Sequence, residues 1–449
     1  MPEDKVIIKD ALTSICTGTG TVQQSPVRFW MQDNLAVSLD GRESLKFGEA
    51  VRETLKNSLV LENLSISEIE QAMQAIISNA LKLPTQRRRA QVESEVDGFF
   101  ASVRRRIEEF EVVVPIYNLR LSNTLKLGDV RFETFSEYQA KKWIKAFKDL
   151  LRNNPHYDEA AKKEMVASNT KRFIESLKNG VCAKTKVCAS ERRANEVAFR
   201  KINEALDIIK LYCLTREGPR GSNAGLKGEV LERTIRSVLM RPTSRKALYP
   251  SLEKMGPLYE LEIDATLLKM MRKYGLRKLD CTLIKKNRSW VERKILRAIY
   301  WFSRIFDTPL QKIDDEKILA IRGSHPDITE EIFEYGRIND RLVKAVVALE
   351  SLLVLEKREA VQNNIAERAA YVLGKDFETR KNIKRFIKKV YEYRSETVHN
   401  GFTYVSWGEL NQLTQLVRGA IITMILRKDR LKLESKDDFY EYFEKMKLS

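Results

Sequence analysis

Histidine and cysteine are scarce in this chain, with three His and five Cys in 449 residues. The cysteines, Cys16, Cys182, Cys188, Cys213 and Cys281, are odd in number and scattered, which excludes a dense disulfide framework. Cys182 and Cys188 are too far apart for a zinc knuckle, and His156 and His325 are remote from both. The cysteines read as small apolar packing residues, and no metal or cofactor is expected. No run of about 18 uncharged apolar residues occurs, so no transmembrane helix is expected. The opening Met1-Pro2-Glu3-Asp4-Lys5 is charged and has no apolar signal core, so the expected compartment is the cytoplasm. The glycine-rich stretch from Gly218 to Gly228 lacks the spacing of a phosphate loop and the Lys-Ser or Lys-Thr pair that would follow it. It reads as a surface loop. No helix-turn-helix with a clear Gly turn stands out, which argues against a reader of duplex DNA.

What the chain has in excess is positive charge: 80 Lys and Arg against 62 Asp and Glu, a net +18 with a sequence pI near 9.5. That is an electrostatic footprint suited to a nucleic-acid partner, although many basic proteins bind none. Cores seldom grow past about 250–300 residues, so this length implies two or three domains.

Residues 1–60 show weak periodicity and suggest short strands or loops. Ser65-x-x-Glu68 is a capping box, and Ile66, Ile69, Met73, Ile76, Ile77 and Ala80 follow at helical spacing up to Pro84. The spacing predicts a second helix over 86–109, rich in Arg, whose charges read as a solvated face partnered by Glu93, Glu95 and Glu108 or, alternatively, as a phosphate track. β-branched and apolar runs predict strands over 111–121, 127–135 and 181–188, with helices over 136–152, 156–178 and 190–214. Leu258–Ile263 suggests one more strand. From Trp290 onward the pattern is helical: 291–306, 341–357, 365–373, 377–398 and 410–426, with a loop at Gly323–Asp327. The expected class is α+β, a mixed α/β region over 1–284 (divisible near 110 or 180) followed by an all-helical region over 285–449.

The helix over 377–398 carries two adjacent four-spaced basic rows, Arg380, Lys384, Lys388 and Lys381, Arg385, Lys389. It ends in Tyr391-Glu392-Tyr393-Arg394-Ser395-Glu396-Thr397-Val398-His399-Asn400-Gly401. Arg394 continues the apolar stripe of Ile383, Ile387 and Val390, so it should be paired or bind an anion. Asn400-Gly401 suits a helix C-cap, which places His399 where the helix is expected to fray. A His titrates near neutral pH, and an Arg holds phosphate with two parallel hydrogen bonds. Five residues of helix turn two side chains about 140° apart. They converge only if the last turn unwinds or if two chains each contribute a pair. Both residues also suit a helix C-terminus as plain cations on its dipole.

The segment resembles the R-x4-H signature of the HEPN superfamily, all-helical domains many of which are RNases. It is most similar to the Apea-like HEPN group of bacterial anti-phage defence proteins. Trp301, Ala348–Leu353, Ala366–Ala370 and Tyr391-x-x-Arg394-Ser395-x-x-x-His399-Asn400-Gly401 follow one another in the order of that family, over roughly 285–430. The resemblance implies a HEPN bundle that forms a homodimer and cuts RNA without a metal. Arg394 and His399 would be catalytic, and Ser395 and Asn400 would support them. Glu350 is a candidate for holding Arg394 or His399, and Arg380, Lys381, Lys384, Arg385, Lys388 and Lys389 for carrying the RNA backbone. The defence group implies a phage-derived trigger, with tRNA, mRNA or rRNA as substrate. It equally admits an inactive HEPN that dimerises or binds RNA as a scaffold. AMPylation-silenced relatives carry Tyr two residues after the His; here Gly401 stands there and Tyr404 is off-pattern, so that regulation is not expected.

Overall fold

Helical spacing starts at the second residue. In the computed structural model, α1 (Pro2–Thr17) buries Ile8, Leu12 and Ile15 along one side. The structure describes residues 2–17, 28–32, 35–39, 41–117, 119–134, 180–213, 261–305, 330–356, 360–400 and 405–448, with a few isolated residues at 136, 141, 145, 159–160, 163–164, 225–226, 239–240, 247–248 and 403.

The expectation of strands or loops over 1–60 is corrected. A hairpin of β1 (Arg28–Gln32) and β2 (Leu35–Leu39) pairs Trp30 with Val37, but helices dominate: α2 (Gly41–Lys56) and α3 (Ser58–Asn63). The repeat Ile8, Leu12, Ile15 is spaced by four and three, a helical signature diluted by the polar residues between. The next two helices are α4 (Ile66–Leu81) and α5 (Thr85–Val103). The Ser65–Glu68 capping box forms in full at the start of α4. Arg88 bonds the carbonyls of Cys16 and Leu83, and Arg89 pairs with Glu93 at 3.0 Å, so two of the three arginines opening α5 serve local structure.

The helix ends sooner than expected. Arg104–Arg106 form a 3₁₀ turn, and β3 (Glu108–Tyr117) begins at once, because Val112, Val113 and Val114 favour a pleated surface. Four more strands follow: β4 (Leu119–Leu121), β5 (Leu125–Leu127), β6 (Val130–Thr134) and β7 (Val181–Ala189). After α6 (Glu191–Cys213) come the short β8 (Gly225–Leu226), β9 (Leu239–Met240), β10 (Ala247–Leu248) and β11 (Leu261–Ile263). The larger sheet has the order β5-β6-β7-β3-β8, while β11 pairs with β4 in parallel. The expected helices over 136–178 and most of the glycine-rich stretch fall outside the described residues, as do His156, the His325 loop, Gly401 and Tyr404.

Two helices that the sequence reading leaves out follow, α7 (Ala265–Lys273) and α8 (Leu276–Ile284). Gly275 joins them at φ +98°, a left-handed conformation open to glycine, and a Cβ there would stand 2.6 Å from Ile425 Cγ2. The remaining helices are α9 (Trp290–Arg304), α10 (Glu330–Leu353), α11 (Val361–Leu373), α12 (Phe377–Asn400), α13 (Trp407–Arg427) and α14 (Lys436–Leu448). The chain is therefore α+β, with strands confined to its first part and helices alone after Trp290 among the described residues.

Contacts divide the chain into two units, Met1–Val112 with Thr185–Arg200, and Val113–Lys184 with Lys201–Ser449. The expected boundary near 280–290 lies inside the second. The first unit packs Leu12, Phe47, Ile69, Met73 and Val96 into one core. In the second, α9 packs on α10, α11 on α12, and α13 against α10. Phe302, Leu349, Ile387 and Ile421 are all buried there, each worth roughly 1.5–3 kcal/mol relative to exposure. A buried carboxylate also fixes this bundle. Glu292, 2% exposed, closes the capping box of α9 with Ser289 and accepts from Lys285 at 2.7 Å and Lys428 at 3.0 Å. Burial alone would raise its pKa, but the hydrogen bonds from Lys285, the Ser289 N–H and Lys428 prevail and hold it down at about 2. No helix among the described residues is long and apolar enough to cross a membrane.

Candidate functional site

Asp376 starts the helix that carries the motif. Its carboxylate accepts from the Thr379 N–H at 2.8 Å and the Thr379 hydroxyl at 3.0 Å, capping the first turn of α12. Ile383, Ile387, Val390 and Tyr391 are the buried face, and it packs on α10 and α11. Arg394 comes next on that stripe and is half-buried. Its Nε is shut from solvent without a hydrogen-bond partner, and Arg394 makes no ion pair among the described residues.

His399 is exposed in the last turn, with Ser395 and Asn400 exposed beside it and Val398 52% exposed. None of the three polar side chains has a partner among the described residues. The expected fraying at His399 is corrected: α12 stays helical through Asn400. Over those five residues ideal geometry turns the side chains about 140° apart and about 7.5 Å along the axis. Arg394 therefore faces the packed side and His399 faces away, and one chain alone does not bring them to a common atom.

Glu350 holds neither of them. Its Oε1 accepts from the Tyr391 hydroxyl at 3.1 Å, tying α10 to α12 one turn before Arg394. The six basic residues also separate. Lys384 pairs with Glu367 at 2.5 Å and Lys389 with Glu409 at 2.7 Å. Arg380 donates to the Gly374 carbonyl at 3.4 Å and lies over the Tyr371 ring. Lys381 stands 3.9 Å from Glu378. The side chains of Arg385 and Lys388 have no partner among the described residues.

Two supports of the helix end escape the sequence reading. The first is Glu409 at the start of α13, which closes a capping box with Ser406 and accepts from Lys389 and, at 3.0 Å, from the Tyr393 hydroxyl. Burial pushes its pKa up, but Lys389, Ser406 and Tyr393 together hold it down at about 2, and the same contact raises the Lys389 pKa. The Ser406-x-x-Glu409 spacing spells this box in the sequence. The second is Asn339 on α10, 2% exposed. Its amide faces the Thr403 main chain, the nitrogen donating to the carbonyl at 3.0 Å and the oxygen accepting from the N–H at 3.2 Å. The Thr403 hydroxyl donates in turn to Glu396 on α12. The signal is an amide among the core-facing residues Ile338, Leu342 and Val346, since a buried amide needs partners.

Elsewhere in the second unit, a cleft of about 330 Å³ opens between α6 and α9 near Trp301. Its carboxylates are engaged, Glu204 by Arg288 at 2.8 Å and Asp207 by Ser303 at 2.6 Å. The packing expectation for cysteine holds for Cys16 and Cys182, which are buried, and burial pushes the Cys16 thiol up to about 12. It is corrected for Cys188 and Cys281, which are exposed. Cys188 occupies an outward position of the alternating end of β7, and Cys281 an outer position of α8. Among the described residues no group of three or more His, Cys, Asp or Glu is placed to hold a metal ion. No family model, curated protein or solved structure matches the chain.

Proposed function

We propose that this chain is a homodimeric, metal-independent endoribonuclease of the HEPN type, acting in the cytoplasm as an anti-phage effector. One observation carries the reading: a half-buried Arg394 with an unpartnered Nε on the same helix as an exposed His399 that no described residue engages. An arginine nitrogen shut from water without a carboxylate favours an anion, and an exposed imidazole can accept a proton. The defence context comes from the resemblance over 285–430 alone.

The chemistry is a transesterification. His399 takes the proton of a ribose 2′-OH. That oxygen bonds the adjacent phosphorus as the bond from phosphorus to the 5′-oxygen breaks. The leaving oxygen is protonated by a second imidazole or by water. Arg394 stabilises the charge that builds on the phosphoryl oxygens. The products carry a 2′,3′-cyclic phosphate and a 5′-hydroxyl. Because the two side chains diverge within one helix, the Arg of one copy acts beside the His of the other. A scaffold without catalysis is the second reading, favoured by the lack of any described group that orients the His399 ring.

The test is cleavage of total cellular RNA by the purified protein in EDTA, with His399→Ala alongside and the new ends mapped. Cyclic phosphate ends that vanish in the variant are expected. Equal cleavage by both proteins would overturn the assignment.

A further inference from the structure

Stepping back from His399 by 4, 7, 11, 14 and 18 residues reaches Ser395, Glu392, Lys388, Arg385 and Lys381. Ideal helix geometry keeps all five within about 40° of His399 around the axis. All are exposed except Lys388, which is half-buried. Two basic side chains of α12 without a partner among the described residues, Arg385 and Lys388, belong to this one stripe. Of the basic residues of α12 that lie off it, Arg380, Lys384 and Lys389 are spent on Gly374, Glu367 and Glu409, and Arg394 is half-buried toward the packed side.

We infer that a single RNA strand runs along this stripe, with its reacting phosphate at His399 and its backbone held by Lys388 and Arg385. The inference rests on the ribonuclease reading for the chemistry at His399, while the binding stripe stands on the geometry of α12. A helix C-terminus carries partial negative charge and repels a phosphate. Cations set back from that end are what hold a polyanion against it. Lys388 lies about 16 Å and Arg385 about 21 Å from His399 along the axis. At about 3.4 Å per nucleotide of stacked strand, the nearer clamp engages a strand about five nucleotides from the cut, on one side only. Glu392 lies on the same stripe between Lys388 and His399 and opposes the strand as it passes.

The experiment measures binding of the full-length protein to a labelled single-stranded RNA 12-mer carrying 2′-O-methyl groups, over a range of salt. Without a free 2′-OH this RNA resists the proposed chemistry, so binding is read apart from cleavage. Arg385→Gln with Lys388→Gln should weaken binding at least tenfold, roughly, near 0.1 M salt and flatten the log–log salt slope by about 1.4, two phosphates at about 0.7 each for a single strand. Glu392→Gln should tighten binding, an effect that a misfolded variant does not produce. Lys445→Gln on α14 should leave affinity in place. Unchanged affinity and slope in the double variant, or a Glu392→Gln that binds no tighter, would overturn the stripe. If His399→Ala still cuts RNA while these binding effects appear, the nuclease assignment fails and the stripe stands.

Discussion

Replacing Asn339 by Ala removes the donor and the acceptor that face the Thr403 main chain at 3.0 and 3.2 Å. Thr403 is 6% exposed and Asn339 2%, so water has little room to take over both bonds. A buried polar group left unpaired costs about 1–3 kcal/mol. Two such groups with partial relaxation give about 2–4 kcal/mol, felt where α12 ends. Global unfolding of a chain with two units is a poor gauge, since two-state behaviour is not assured. Amide hydrogen exchange at Thr403 reads the site directly. At about 1.4 kcal/mol per decade, its protection should fall roughly 30- to 1,000-fold. Asn339→Asp makes a sharper test. Its carboxylate accepts from the Thr403 N–H but sets a second oxygen against the carbonyl, so the defect should ease in acid, where the protonated form donates. Thr403 protection that is unchanged in Asn339→Ala would refute the strap.

Stability should also fall in acid through Glu292. Its folded pKa of about 2 lies below the ordinary 4.5, so its contribution is full above about 4.5 and is lost as pH drops toward 2; at about 1.4 kcal/mol per unit that is roughly 3 kcal/mol. Melting curves from pH 7 to pH 2.5 should show a steep loss that Glu292→Gln, already destabilised by its unpaired lysines, shows far less; parallel curves would count against the reading. Mixing Arg394→Ala with His399→Ala protein should restore RNA cleavage that neither shows alone, because a mixed dimer keeps one site with both native groups. No recovery in a demonstrated mixed dimer would mean that the two groups do not act across chains.

Regularly spaced features were legible from sequence. Ser65-x-x-Glu68 spells a cap that forms in full. The stripe from Ile383 to Val390 identifies the buried face of α12, and β7 stands one residue from its expected end. The misses have physical causes. Ile8, Leu12 and Ile15 make a helix whose remaining positions are polar or small, so the repeat is thin until Phe47 and Met73 complete its core. The C-terminal turn of α12 was expected to loosen at Asn400-Gly401, since local preference favours a stop there. The strap of Asn339 on Thr403 and the tie of Thr403 to Glu396 are long-range contacts with no local spacing to betray them. Pairing also decides which cations are free. The two basic rows look equivalent as sequence, and only the positions of Glu367 and Glu409 separate spent lysines from available ones.

Charge is distributed unevenly along the chain, and that bears on how RNA would be drawn in. Residues 1–112 with 185–200 carry 18 Lys and Arg against 19 Asp and Glu. Residues 285–449 carry 32 against 25, while 113–184 with 201–284 carry 30 against 18. The helical part that bears Arg394 and His399 is thus only mildly basic, and more of the excess sits in the segments before it. Diffuse excess charge raises encounter rates and non-specific affinity, whereas unpaired residues in line with a reactive group set register. The salt dependence of RNA binding by the whole chain should therefore exceed what Arg385 and Lys388 account for. Neutralising those two should remove a fixed share of the slope and leave the remainder, because attraction and register reside in different residues.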